Sequence, residues 1–159
     1  FSNQEKINEE RDIFRKMTGL DNFGIRMHYL KKNDQTVQML DKAGYRFDST
    51  EHAFRDPYRI GKMWEFPFQI MDGWMIEHFK PWQSLNIEEA RDTTKKTIET
   101  AFEKNLQYLV VDFHDRYFSH SFATWLEWYM WLIEHLKSHK VTFVNYDMAI
   151  KELEAAEKK

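Results

Sequence analysis

Segments with helical spacing of apolar residues alternate along this chain with short apolar runs of strand character, and few architectures accept that alternation. Gln4–Thr18 is predicted helical, with Ile7, Ile13, Phe14 and Met17 near one face and Gly19 placed to stop it. A strand is predicted at Phe23–Tyr29. Asn33 or Asp34 can cap a second helix carrying Val37, Leu40 and Ala43, which ends at Gly44 and leads into a strand at Tyr45–Asp48. From Ser49 to Gly61 the chain is polar and irregular, and in Met63–Phe68 the proline at 67 argues for an edge or a strand end. Asn86 caps a helix from Ile87 to Lys104, followed by a strand at Leu109–Phe113, a helix at Phe122–His139, a strand at Val141–Val144 and a last helix from Asp147. The expectation is an α/β fold with parallel strands and covering helices. With 159 residues the chain is long enough for one domain, residues 1–159, and too short for two full ones.

Composition removes several function classes. Lys and Arg total 23 against 26 Asp and Glu, a formal charge of -3 with no basic run to follow a phosphate backbone, so no nucleic-acid partner is expected. No cysteine is present, which excludes disulfides, thiolate chemistry and cysteine-based zinc sites and leaves the redox compartment open. Trp125–Ile133 is apolar nearly all round and predicts a helix buried on most sides. It is shorter than the roughly 20 residues a bilayer needs, and Glu127, Glu134 and His135 interrupt it, so no membrane span is expected. The chain begins Phe1-Ser2-Asn3 rather than with methionine, which suggests a piece of something longer.

The candidate chemistry lies where predicted strands stop. Leu109-Val110-Val111-Asp112-Phe113 runs straight into His114 and Asp115. In α/β folds the carboxyl ends of strands present reactive side chains to a shared face, which favours His114 over the other six histidines. A histidine in such a place also serves often as a hydrogen-bonded structural residue. Two further segments raise the functional reading: the strand end around Arg26 and Tyr29, and Ile70-Met71-Asp72-Gly73-Trp74.

Gly24-Ile25-Arg26-Met27-His28-Tyr29, then a helix ending in Ala43-Gly44-Tyr45 and a strand ending in Asp48-Ser49, resembles the second half of the polysaccharide deacetylases of the NodB-homology type, carbohydrate esterase family 4. The resemblance runs from about Asn3 to Leu153. The usual pattern has proline before the tyrosine, where this chain has His28, as in a branch of the family that reads Arg-x-His-Tyr-Leu. It implies the C-terminal half to two-thirds of a partial or distorted (β/α) barrel that hydrolyses N- or O-acetyl groups on a carbohydrate. Arg26 would orient the carboxylate acting as general base, Asp72 would orient the catalytic histidine, and protonated His114 would give its proton to the departing amine. Tyr29 would contact the sugar. Asp112 and Asp115 stand outside the family pattern and are taken as supporting or surface groups.

The resemblance also implies a divalent metal, zinc or similar, held by an aspartate of an Asp-Asp pair and two histidines spaced His-x-x-x-His, all upstream of Phe1. No metal ligand is assigned in this chain, and the chain alone is expected to be inactive. His135 and His139 have helical spacing but sit at a helix end, where such pairs are usually solvated or bonded to helix carbonyls. Six tryptophans invite a sugar-platform reading for the three outside the apolar helix, and Trp64, Trp74 and Trp82, beside Asp72 in a loop-rich stretch, are the expected groove-lining set. The partners expected are a carbohydrate and either the protein's own upstream segment or a second copy. Two alternatives stay open: a non-catalytic sugar-binding or assembly module with the same fold, and an unrelated α/β interaction protein that uses the Trp125–Ile133 helix.

Overall fold

A computed structural model describes residues 3–72 and 86–158. In chain order it contains α1 (Gln4–Thr18), β1 (Gly24–Ile25), α2 (Asp34–Ala43), β2 (Phe47–Asp48), β3 (Tyr58–Ile60), β4 (Met63–Glu65), β5 (Ile70–Met71), α3 (Ile87–Glu103), β6 (Val111–Asp112), α4 (Ala123–Ser138) and α5 (Tyr146–Ala156). The chain forms two compact units. One holds the chain up to Met71 together with Lys96–Asp112; the other holds the described parts of Asp72–Lys95 and Phe113–Lys159.

The helices begin and end where their caps dictate. Asn3 accepts a hydrogen bond from the Lys6 amide to open α1, and Gly19, at φ 71, closes it with its amide on the Arg15 carbonyl. Asn33 opens α2 by accepting from the Thr36 amide, and Gly44, at φ 84, ends it. Asn86 accepts from the Glu88 amide at 3.0 Å in front of α3, and Asn145 from the Met148 amide at 2.9 Å in front of α5.

In the first unit a four-stranded sheet has the order β1-β2-β4-β3. β1, β2 and β4 run parallel, with Gly24 opposite Phe47 opposite Trp64 and Ile25 opposite Asp48 opposite Glu65. β5 and β6 form a separate parallel pair. Parallel strands with helices are thus present, and no closed barrel forms among the described residues. Ile7 of α1, Leu40 and Ala43 of α2, and Met27, Tyr45 and Met63 make one buried apolar cluster. Residues 63–70 are buried without a break, the pattern of strands covered on both faces. Gly24 is required where it stands, because a Cβ there would lie 2.2 Å from the Phe47 ring.

Four sequence expectations are corrected. The Phe23–Tyr29 strand stops at Ile25, because the backbone turns into a 3₁₀ turn at His28–Leu30. Ser49–Gly61 is not wholly irregular: β3 pairs antiparallel with β4 around Gly61, at φ 60, where the Asp41 carboxylate accepts from the Lys62 and Met63 amides. Residues 141–144 form no strand; Val141 and Phe143 are exposed and the segment has no ladder partner among the described residues. Helix α4 is buried along one stripe rather than on most sides, through Trp125, Trp128, Leu132 and Leu136, while Met130 is exposed.

That stripe organises the second unit. The Trp128 indole donates to Thr94 Oγ1 at 2.9 Å, and Thr94 in turn donates to the Ala90 carbonyl at 2.7 Å, so a buried polar handle fixes α4 against the first turns of α3. Tyr117 stacks on Trp125 at 5.1 Å and Phe113 on Tyr129 at 4.2 Å. No helix among the described residues is long and apolar enough to cross a membrane.

Candidate functional site: a histidine–aspartate dyad

Asp72 follows β5 and His114 lies two residues beyond β6, the strand it pairs with. The Asp72 carboxylate is fully buried, and it accepts from the His114 backbone amide at 2.6 Å and faces His114 Nδ1 at 2.9 and 3.0 Å. The His114 side chain is 48% exposed. An ionised carboxylate only accepts hydrogen bonds, so Nδ1 carries the proton and Nε2 is the ring nitrogen left for exchange. The amide contact fixes the backbone and the ring contact fixes the rotamer. The pair is therefore preorganised for proton transfer through Nε2, with one acid buried as the orienting group and the base half in solvent.

Arg26 lies in the other unit, just after β1. Its Nε donates to the Ser49 carbonyl at 2.6 Å, its Nη2 to Ser49 Oγ at 2.8 Å, and its Nη1 forms an ion pair with Asp112. Ser49 Oγ donates onward to the Phe66 carbonyl at 2.8 Å, which ties the arginine to the end of β4. The sequence gave Arg26 a general-base carboxylate to orient and took Asp112 as a supporting or surface group; the structure pairs Arg26 with Asp112. The alternation along Val111-Asp112-Phe113 carried that signal, since a strand end with one acid between apolar neighbours directs it opposite to them.

The expected sugar-contacting residues divide. Tyr29 is 78% exposed, sits at φ 53, and stacks against His28 with ring centroids 4.0 Å apart. Trp64 is a core residue: it is 4% exposed in the middle of β4 and the Arg59 guanidinium covers its ring at 4.3 Å, so it has no face to offer a ligand. The strand that carries it is covered on both sides, which the sequence concealed behind Pro67. Trp74 and Trp82 lie outside the described residues. His139 Nδ1 bonds the His135 carbonyl at 2.9 Å, and burial first, then His139 and Lys95, lower the pKa of His135.

A second ionic centre was missed. Lys32 Nζ lies 3.1 Å from Asp48 Oδ2 and 2.7 Å from Glu65 Oε2, and both carboxylates have no exposed surface. Burial, followed by the neighbouring Asp48, pushes Glu65 from an ordinary 4.5 up to about 7. Burial works against the Lys32 ammonium, but its two carboxylate partners more than offset this and its pKa is raised. A glutamate inside the apolar run Met63–Phe68 was the available signal, because unpaired acids are almost never fully buried.

Among the described residues no group of three His, Cys, Asp or Glu side chains could hold a metal ion. Compared with protein-family models, with curated proteins and with solved structures, the chain gives no match.

Proposed function

We propose that this chain is the acid-bearing part of a metal-dependent carbohydrate deacetylase, built on a partial or distorted (β/α) barrel. The Asp72–His114 dyad carries the reading: a buried carboxylate holds Nδ1 of an exposed imidazole, which leaves Nε2 as the nitrogen that takes up a proton and, in the imidazolium, delivers it as a leaving-group acid must. In the reaction, water adds to the acetyl carbonyl carbon as its proton passes to a general-base carboxylate, and the carbon–nitrogen bond breaks. Protonated His114 gives the Nε2 proton to the departing amine nitrogen, so acetate and a free amine leave. For an O-acetyl substrate the same proton goes to the departing alcohol. Arg26 holds a carboxylate by charge-assisted hydrogen bonds, and Tyr29 contacts the sugar. The metal implied by the sequence resemblance has no ligand set among the described residues.

The test is acetate release from an acetylated chito-oligosaccharide by the intact protein. His114→Ala is expected to lower turnover by about 10²–10⁴-fold with metal content unchanged, and Asp72→Asn to act in the same direction more mildly. Metal loss in His114→Ala would make His114 a ligand and end its assignment as the acid. The same assay on the 159-residue chain alone is expected to give no acetate.

A further inference from the structure

Between Arg26 and Lys32 the chain does something costly. Tyr29 and Leu30 are consecutive non-glycine residues in the left-handed region, at φ 53 and 56, whereas the two other non-glycine residues with positive φ among the described residues, Asn105 and Lys140, stand just past the ends of α3 and α4. Such a conformation persists only where the surroundings over-determine it. Both ends of this loop lead to the same buried acid. At the first end the Met27 amide donates to Thr50 Oγ1 at 2.9 Å, and Thr50 donates to Asp48 Oδ1. At the other end the Lys32 ammonium reaches Asp48 Oδ2 and Glu65 Oε2. Glu65 is itself held, since its Oε1 accepts from the Glu51 amide at 3.0 Å. Asp48 and Glu65 face each other in register at the carboxyl ends of adjacent parallel strands, so the anchor belongs to the sheet and not to the loop.

We propose that Asp48 and Glu65 form a buried anchor that clasps the 27–32 loop at both ends, and that Lys32 is thereby a positioning residue holding Arg26 and Tyr29 in place. Only the kinetic arm of the test rests on the deacetylase reading. The loop is short and its middle is exposed, so little else on it can resist relaxation of the two left-handed residues. Removing the ammonium frees one end and leaves two buried acids facing each other, which weakens the hold on Thr50 at the other end as well.

Amide hydrogen exchange reads the clasp without reference to activity. The amides of Met27, Leu30 and Lys31 are hydrogen-bonded within this arrangement and report on it. In Lys32→Met they are expected to exchange faster by about tenfold or more, while the Leu40 amide in α2 is unchanged, and Lys32→Arg is expected to restore protection. Should Lys32→Met fail to fold, the double variant Lys32→Met/Glu65→Gln, which removes one buried negative charge with the cation, gives the same readout. Unchanged exchange at 27–31 in the folded variant would overturn the clasp. In the acetate-release assay kcat/KM is expected to fall about tenfold in Lys32→Met and to return in Lys32→Arg; loosened exchange with unaltered kcat/KM would overturn the positioning role. A wild-type protein that releases no acetate would overturn the deacetylase reading alone, since the exchange measurements decide the clasp either way.

Discussion

The two units solve the same problem, fixing elements around a core, with opposite chemistry. In the first, charge is taken into the interior: Lys32, Asp48 and Glu65 meet at the ends of β2 and β4 with both acids inaccessible to water. In the second, α4 is held by stacked rings and by one neutral hydrogen bond, Trp128 to Thr94. Buried charge holds a particular geometry but depends on its proton count, whereas aromatic packing is indifferent to pH. The Lys32–Asp48–Glu65 anchor should therefore respond to pH where the aromatic hold on α4 does not.

The largest effects test that contrast directly. Trp128→Ala removes a fully buried ring and the indole donor to Thr94 Oγ1, and is expected to cost about 3–5 kcal/mol in urea unfolding, equally at pH 5 and pH 8. Lys32→Met leaves uncompensated buried acid and is expected to cost about 3–5 kcal/mol at pH 8, but less at pH 5, where Glu65 is protonated. Equal losses at the two pH values for Lys32→Met would remove the distinction between the units.

A smaller effect follows from Glu65 in the unaltered protein. Its folded pKa, about 7, lies above its ordinary 4.5, so between these values the folded state binds the proton that the unfolded chain has released. Stability attributable to this group is therefore full below 4.5, falls as pH rises toward 7 and is level beyond. Glu65→Gln should flatten that part of the stability curve. Lys32, whose pKa is raised, and the nearby Tyr58, whose hydroxyl burial and Glu51 raise to about 12, keep their charge states across this window and do not imitate the effect. The smallest expected change is common to both units: Asn33→Ala and Asn145→Ala each remove one helix cap and should cost about 1 kcal/mol, with no dependence on which unit is altered.

What could be read from the sequence follows the same division between local and distant causes. Helix limits are written in neighbouring residues, so Gly19, Asn33, Gly44 and Asn86 marked them. Strand extents depend on partners far along the chain. Val141–Val144 has strand composition and no partner in the described residues, while Tyr58–Ile60, in a polar stretch, becomes a strand because Gly61 and Asp41 turn it back on β4. The resemblance placed Asp72 with His114, two residues 42 apart, where no local pattern could have joined them. It offered nothing for Asp112, Lys32 or Glu65, whose meaning appears only when β1, β2, β4 and β6 bring distant acids and bases together.

The acid role of His114 depends on one proton position, Nδ1 held on the Asp72 carboxylate. A long-range proton–nitrogen NMR spectrum of the protein labelled at histidine, recorded where the ring is neutral, measures it directly. A protonated Nδ1 and a bare Nε2 are expected in the unaltered protein, and this preference is expected to be lost in Asp72→Asn. A neutral His114 carrying its proton on Nε2, unchanged by Asp72→Asn, would contradict it.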